Sequence, residues 1–254
     1  MERRKFFSDN GFENFEIESY EEFSRRIFSF QKSDFSFGVD RFVSSGSVKN
    51  KVGFDGKFNR FIGDTVVFDL DDSQKKFIYE YYVNPLYWVA PDCLAEQLKE
   101  STFHMTLHDL NASTQDDFMV MKRMFETEIS LARVIDESEI KSEKIDMATT
   151  CVFNMVNTSL VLGLKPKTYK DYYKLMSLYQ LVEGIYQLPY PFTPHITLAY
   201  YCRDGFEGKQ LEILQNTVNE LNCESFDITL STDRLYYQKF ISMNDYFNVM
   251  RFVK

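Results

Sequence analysis

Phe103-His104-Met105-Thr106-Leu107-His108-Asp109-Leu110 and, 91 residues on, Pro194-His195-Ile196-Thr197-Leu198-Ala199-Tyr200-Tyr201 share the pattern His-x-Thr-Leu. Both runs are short, rich in β-branched and aromatic residues and bounded by polar or proline-containing segments, so both read as strands. Alternation along a strand sets His104 and Thr106 on one face and Phe103, Met105 and Leu107 on the other. His195 and Thr197 sort in the same way from Ile196 and Leu198. Two of the chain's three histidines thus stand in one repeated local arrangement.

Paired imidazoles suit an in-line displacement: one takes a proton from the attacking oxygen and the other gives one to the leaving oxygen, because histidine titrates near neutrality. Threonine hydroxyls on the same face can donate to the non-bridging oxygens of a phosphate. Neither role requires a metal or a cofactor, and none is expected. A zinc site of His104, His108 and His195 is a weaker alternative, because Ala199 stands where the second stretch would repeat His108.

The residues His104-Met105-Thr106-Leu107 and Pro194-His195-Ile196-Thr197-Leu198-Ala199 resemble the paired H-x-T/S signature of the two-histidine (2H) phosphoesterases. Gly53-Phe54-Asp55-Gly56-Lys57-Phe58 through Gly63-Asp64-Thr65-Val66-Val67 resembles the approach to the first motif in a poorly characterised microbial branch of that superfamily. The likeness spans residues 53 to 254. It implies an α+β fold, duplicated and two-lobed, with antiparallel-rich sheets around a central cleft and helices outside. It further implies a metal-independent phosphodiesterase or cyclic phosphodiesterase. His104 would be the acid toward the leaving oxygen and His195 the base toward water, or the reverse for a substrate bound the other way round, with Thr106 and Thr197 the phosphoryl holders. Substrates implied are a 2′,3′-cyclic phosphate on a nucleotide or RNA end, a cyclic dinucleotide, or a 2′,5′-linked oligoadenylate. A binding module that kept the phosphate cradle without turnover is the alternative of a different class.

Composition narrows the partners. The 254 residues carry a net charge of -9, and proteins that track long nucleic acid are normally basic, so a small nucleotide or short oligonucleotide phosphodiester is expected. One basic island, Lys49, Lys51, Lys57 and Arg60, is either a solvated loop or a phosphate contact, with Lys57 the candidate. Twenty-five Phe and sixteen Tyr exceed ordinary core needs. Tyr201, Tyr236 and Tyr237 are candidates to stack a base, His108 is a candidate substrate contact or rim residue, and Trp88 reads as core. Four scattered cysteines, no apolar leader behind Met1-Glu2-Arg3-Arg4-Lys5 and no long apolar run point to a reducing cytoplasm and no membrane span.

In order, residues 1–50 read as a partly helical appendage, with a capping box at Ser19–Glu22. Residues 51–254 read as the two-lobed domain, one lobe over about 60–156 and the other over about 157–254. Strands are expected at Thr65–Leu70, 143–156, Ser159–Leu164, 226–230, 234–239 and 246–252. Helices are expected at 73–82, 92–99 and from about Thr114 to Val134, the last burying Phe118, Met121, Phe125, Ile129 and Ala132. Two more follow, from the Thr168 cap to about Tyr186 and along Leu211, Leu214, Val218 and Leu221.

Overall fold

The computed structural model describes residues 18–31, 35–112 and 117–254. The charged leader and the expected helix start at Thr114 lie outside the described residues. Seven α-helices among them are α1 (Tyr20–Phe28), α2 (Val48–Lys51), α3 (Asp72–Ile78), α4 (Asn84–Val89), α5 (Asp117–Glu137), α6 (Tyr169–Glu183) and α7 (Lys209–Leu221). The strands are β1 (Arg41–Phe42), β2 (Gly63–Asp69), β3 (His104–Ala112), β4 (Lys144–Met155), β5 (Ser159–Pro166), β6 (His195–Tyr200), β7 (Phe206–Glu207), β8 (Asp227–Ser231), β9 (Leu235–Ser242) and β10 (Asp245–Arg251).

Eight strands form one antiparallel sheet in the order β10-β9-β2-β3-β6-β5-β4-β8, and β1 pairs with β7 apart from it. The fold is therefore α+β, with the two His-x-Thr strands side by side at the centre. The β2–β3 and β5–β6 pairs are related across that centre, and the repeated order strand, helix, His-x-Thr strand, helix is present. The sheet is not divided as chain order suggests. β4, at the end of the expected 60–156 lobe, pairs with β5 and β8 in the second half. β9 and β10, from the expected 157–254 lobe, complete the first half beside β2. Strand pairing follows the sheet edges left open, and the chain supplies each edge from the other repeat.

Helices α5 and α6 cover the face of the sheet away from the histidines. α6 presents Glu183 and Tyr179 to His108, and α5 presents Met124 and Thr127 to Tyr237 and Asn111. The expected apolar stripe of α5 is the outer one: Phe125 is 62% exposed, whereas Val120, Met124, Thr127, Leu131 and Ile135 are buried. The helix carries two apolar stripes, and the one containing Thr127 turns inward because Asn111, tied to the buried Asp64 carboxylate, donates to the Thr127 hydroxyl at 3.0 Å.

Around α3 the expected break at Asn84-Pro85 is absent. A π-helical turn, Tyr79–Val83, carries the chain straight into α4, and Pro85, which has no N–H to give to the preceding turn, follows directly on that widened turn. The helix expected over 92–99 is only a 3₁₀ turn at Pro91–Cys93 before the chain bridges Leu94 to Tyr201. Trp88 is 88% exposed rather than core, because α4 buries Leu86 instead.

The N-terminal segment is sewn into the main body. α1 opens on the expected capping box, Ser19 with Glu22, and buries Phe23 and Ile27. Phe42, Val48 and Val52 are buried in the same core. Phe30 stacks on Phe153 with ring centroids 4.7 Å apart.

Candidate active site

Strand register decides which side chains meet. β3 and β6 pair antiparallel at Met105 and Ile196, the middle residues of the two H-x-T stretches. That one contact sets His104 beside Thr197 and His195 beside Thr106, all four on one face, related by a local twofold axis. None of the four is fully buried, whereas Met105 and Ile196 behind them are.

Just past each threonine the alternation skips. Thr106 pairs with Val67 and His108 with Val66, so Leu107 is an extra residue. Thr197 pairs with Val161 and Ala199 with Leu160, so Leu198 is its counterpart. Each leucine of His-x-Thr-Leu is thus a β-bulge, and every later side chain changes face. His108 turns away from His104 and is buried, its Nε2 2.7 Å from Glu183 Oε2 and its Nδ1 against the Asp109 carbonyl. The zinc grouping with His104 and His195 is not assembled. Among the described residues no three His, Cys, Asp or Glu side chains cluster as metal ligands. Tyr201 likewise leaves the histidine face and is buried among Phe37, Phe42 and Phe206. Asp109 and Tyr200 take the places on the cleft side expected for His108 and Tyr201.

Tyr237 pairs with Val66 and so also lies on the far face, its hydroxyl donating to Asp64 Oδ2 at 2.8 Å. Its neighbour Tyr236 pairs with Val67 and is half-buried on the histidine face. Lys57 is exposed in the 53–57 turn, with its backbone N–H on Asp55. From the same basic island it is Lys51 that reaches the cleft wall, its Nζ 5.0 Å from the Tyr200 ring centre.

The sheet curls strongly enough to bring Tyr246, from edge strand β10, edge-on to His104 with centroids 5.1 Å apart. Phe240 and Phe61 extend this aromatic wall. Sequence reasoning missed Tyr246, because alternation reports a strand's faces but not how far its sheet bends.

The two imidazoles are held alike. His104 Nδ1 lies 2.7 Å from the Thr102 carbonyl and His195 Nδ1 2.7 Å from the Thr193 carbonyl. A carbonyl can only accept, so each Nδ1 carries the proton and each neutral Nε2 is an open lone pair. Among the described residues neither Nε2 and neither threonine hydroxyl has a protein partner. Burial holds both imidazoles below the usual histidine range, His104 at about 4, against the opposing pull of the Thr102 carbonyl and of Asp69. For His195 burial is again the leading cause, opposed by the Thr193 carbonyl and Asp109.

The surroundings are not symmetric. Opposite His104 stands Asp69, clamped by Lys75 Nζ at 2.6 Å and Arg234 Nη2 at 2.5 Å. Opposite His195 stands Gly163, where an added Cβ would meet Thr150 Oγ1 at 2.4 Å. The loop before His195 is steadied by Arg26 of α1, which donates to the Phe192 carbonyl at 2.8 Å and to the Thr193 hydroxyl. Tyr190 donates to Asp109 at 3.1 Å.

No family model and no curated protein matches the chain. Solved structures do. A conserved protein of unknown function from Agrobacterium tumefaciens superposes with a TM-score of 0.62 at 16% identity, covering 80% of this chain and 91% of its own. Escherichia coli LigT complexed with 3′-AMP matches at 0.44 and 14% identity, covering 75% and 97%. A structure described as a phosphoesterase matches at 0.45 and 15%, covering 75% and 96%. At 14–16% identity these are likenesses of fold, and of the three the Agrobacterium tumefaciens structure is the one above a TM-score of 0.5.

Proposed function

We propose that this chain hydrolyses a small nucleotide phosphodiester by paired-histidine acid–base catalysis. What supports the reading is the pair of imidazoles on one face, each locked in the same tautomer by the carbonyl two residues back, each with a free Nε2 and a free threonine hydroxyl alongside. The substrate is a 2′,3′-cyclic phosphate or a short 2′,5′-linked or RNA-end phosphodiester. Thr106 and Thr197 donate to the non-bridging oxygens. Water attacks phosphorus as His195 Nε2 removes its proton, and the P–O bond to the leaving ribose oxygen breaks as His104 Nε2–H protonates it. The product is a phosphomonoester. His104 enters the step protonated although burial disfavours its cation; the anionic phosphate between the two rings supplies the compensating charge, so proton uptake accompanies binding.

The test is product chromatography on 2′,3′-cyclic mononucleotides, cyclic dinucleotides and 2′,5′-oligoadenylates, with excess chelator present. Turnover should survive the chelator. It should fall by roughly 10²–10⁴-fold in His104→Ala and in His195→Ala, with both variants still folded by circular dichroism. Activity persisting in both single variants refutes the pairing. Ligand-induced thermal stabilisation without product would instead mark a binding module.

A further inference from the structure

Lys51 closes α2, a helix of four residues whose carbonyl end is tied down by the protein itself. Asn59 N–H donates to the Lys51 carbonyl at 2.8 Å, and Arg203 Nη1 donates to the carbonyls of Lys49 at 2.9 Å and Val52 at 2.8 Å. With those acceptors occupied, the Lys51 backbone is fixed. Its side chain runs to the aromatic wall, with Nζ 5.4 Å from the Phe61 ring centre and 5.0 Å from that of Tyr200. Aromatic faces attract the ammonium but leave its three N–H donors unused. Among the described residues no carboxylate lies within ion-pair distance of it and no oxygen accepts from it. A half-buried cation with no counter-ion, on a chain of net charge -9, is an arrangement that an anionic ligand completes.

Its place along the strand points to which anion. Tyr200 lies on the histidine face three residues past Thr197, but the Leu198 bulge shortens that run to two steps of β5, so a phosphate held by Thr197 is about 7 Å along β6 from it. Resting on the reading above, we propose that Lys51 binds a second phosphate of the substrate, one sugar unit from the phosphodiester that is cleaved. The preferred substrate is then a nucleotide phosphodiester that also bears a terminal phosphomonoester.

The experiment compares adenosine 2′,3′-cyclic phosphate with its 5′-phosphorylated form, using the full chain, Lys51→Met and Lys51→Arg. Methionine keeps the apolar stem on the rings, and thermal unfolding confirms that each variant is folded. The parent should favour the 5′-phosphorylated substrate by about tenfold in kcat/KM, chiefly through KM, as one added charge-assisted contact implies. Lys51→Met should erase that ratio and Lys51→Arg restore most of it. An unchanged ratio in Lys51→Met overturns the proposal. So does an equal fall on both substrates, which would place Lys51 on the scissile phosphate. Should neither substrate be cleaved, the catalytic reading fails separately. Calorimetric binding of adenosine 3′,5′-bisphosphate against 3′-AMP then decides: the bisphosphate preferred by the parent and not by Lys51→Met upholds it, and no preference in the parent sinks it.

Discussion

Each imidazole on the histidine face commits its Nδ1 proton to the carbonyl two residues back and keeps Nε2 as a base; burial then makes protonation costly. A pH dependence follows. The acid must be charged, yet His104 sits at about 4 in the free protein. The fraction in the singly protonated state therefore falls about tenfold per unit above that value. A plot of log kcat/KM should descend with a slope near −1 from about pH 5 to 8, and a plateau through neutrality would contradict it. The histidines and threonines were legible because their chemistry and spacing are local. Lys51 and Tyr246 were not, since one is placed by ring contacts of a distant segment and the other by curvature of the sheet.

At the scale of elements the two bulges matter most. Strand parity puts His108 and Tyr201 in the cleft only if alternation runs unbroken, and a single extra leucine in each strand sends both behind the sheet. Neither Leu107 nor Leu198 differs in residue type from an ordinary strand leucine, so the sequence holds no local sign of the skip. Repetition of the whole phrase His-x-Thr-Leu was the available hint. Helix α5 shows the complementary difficulty, two apolar stripes with a polar residue choosing between them. Thr127→Ala should cost about 1–2 kcal/mol in denaturant unfolding, because one buried N–H of the Asn111 amide loses its acceptor while the other stays on Asp64. Phe125→Ser, on the outer stripe, should stay within about 0.5 kcal/mol. Equal losses would mean that the helix is turned the other way. The helices at Ser19 and Thr168 were readable because cap chemistry marks their starts, and the one at Leu211, which has no side-chain cap, because of its single apolar stripe.

Across the whole molecule, the repeat visible in chain order is not the unit that the sheet builds. Because β4 completes the second half and β9 and β10 the first, a fragment of residues 60–156 holds a strand without its partners, and one of residues 157–254 holds a hairpin without its sheet. Expressed singly, neither should show native near-ultraviolet circular dichroism. Mixing the two should recover more than their sum, and an independently folded fragment would refute the interlock. The junction between the halves is narrower than either half. One antiparallel pairing, Met105 with Ile196, spans the boundary between β3 and β6, and both side chains point away from the cleft into the core. The separation of the two imidazoles is therefore gauged by apolar packing that no ligand touches. Trimming a methylene behind the floor would retune the gap between acid and base, leaving every group that meets the phosphate unaltered.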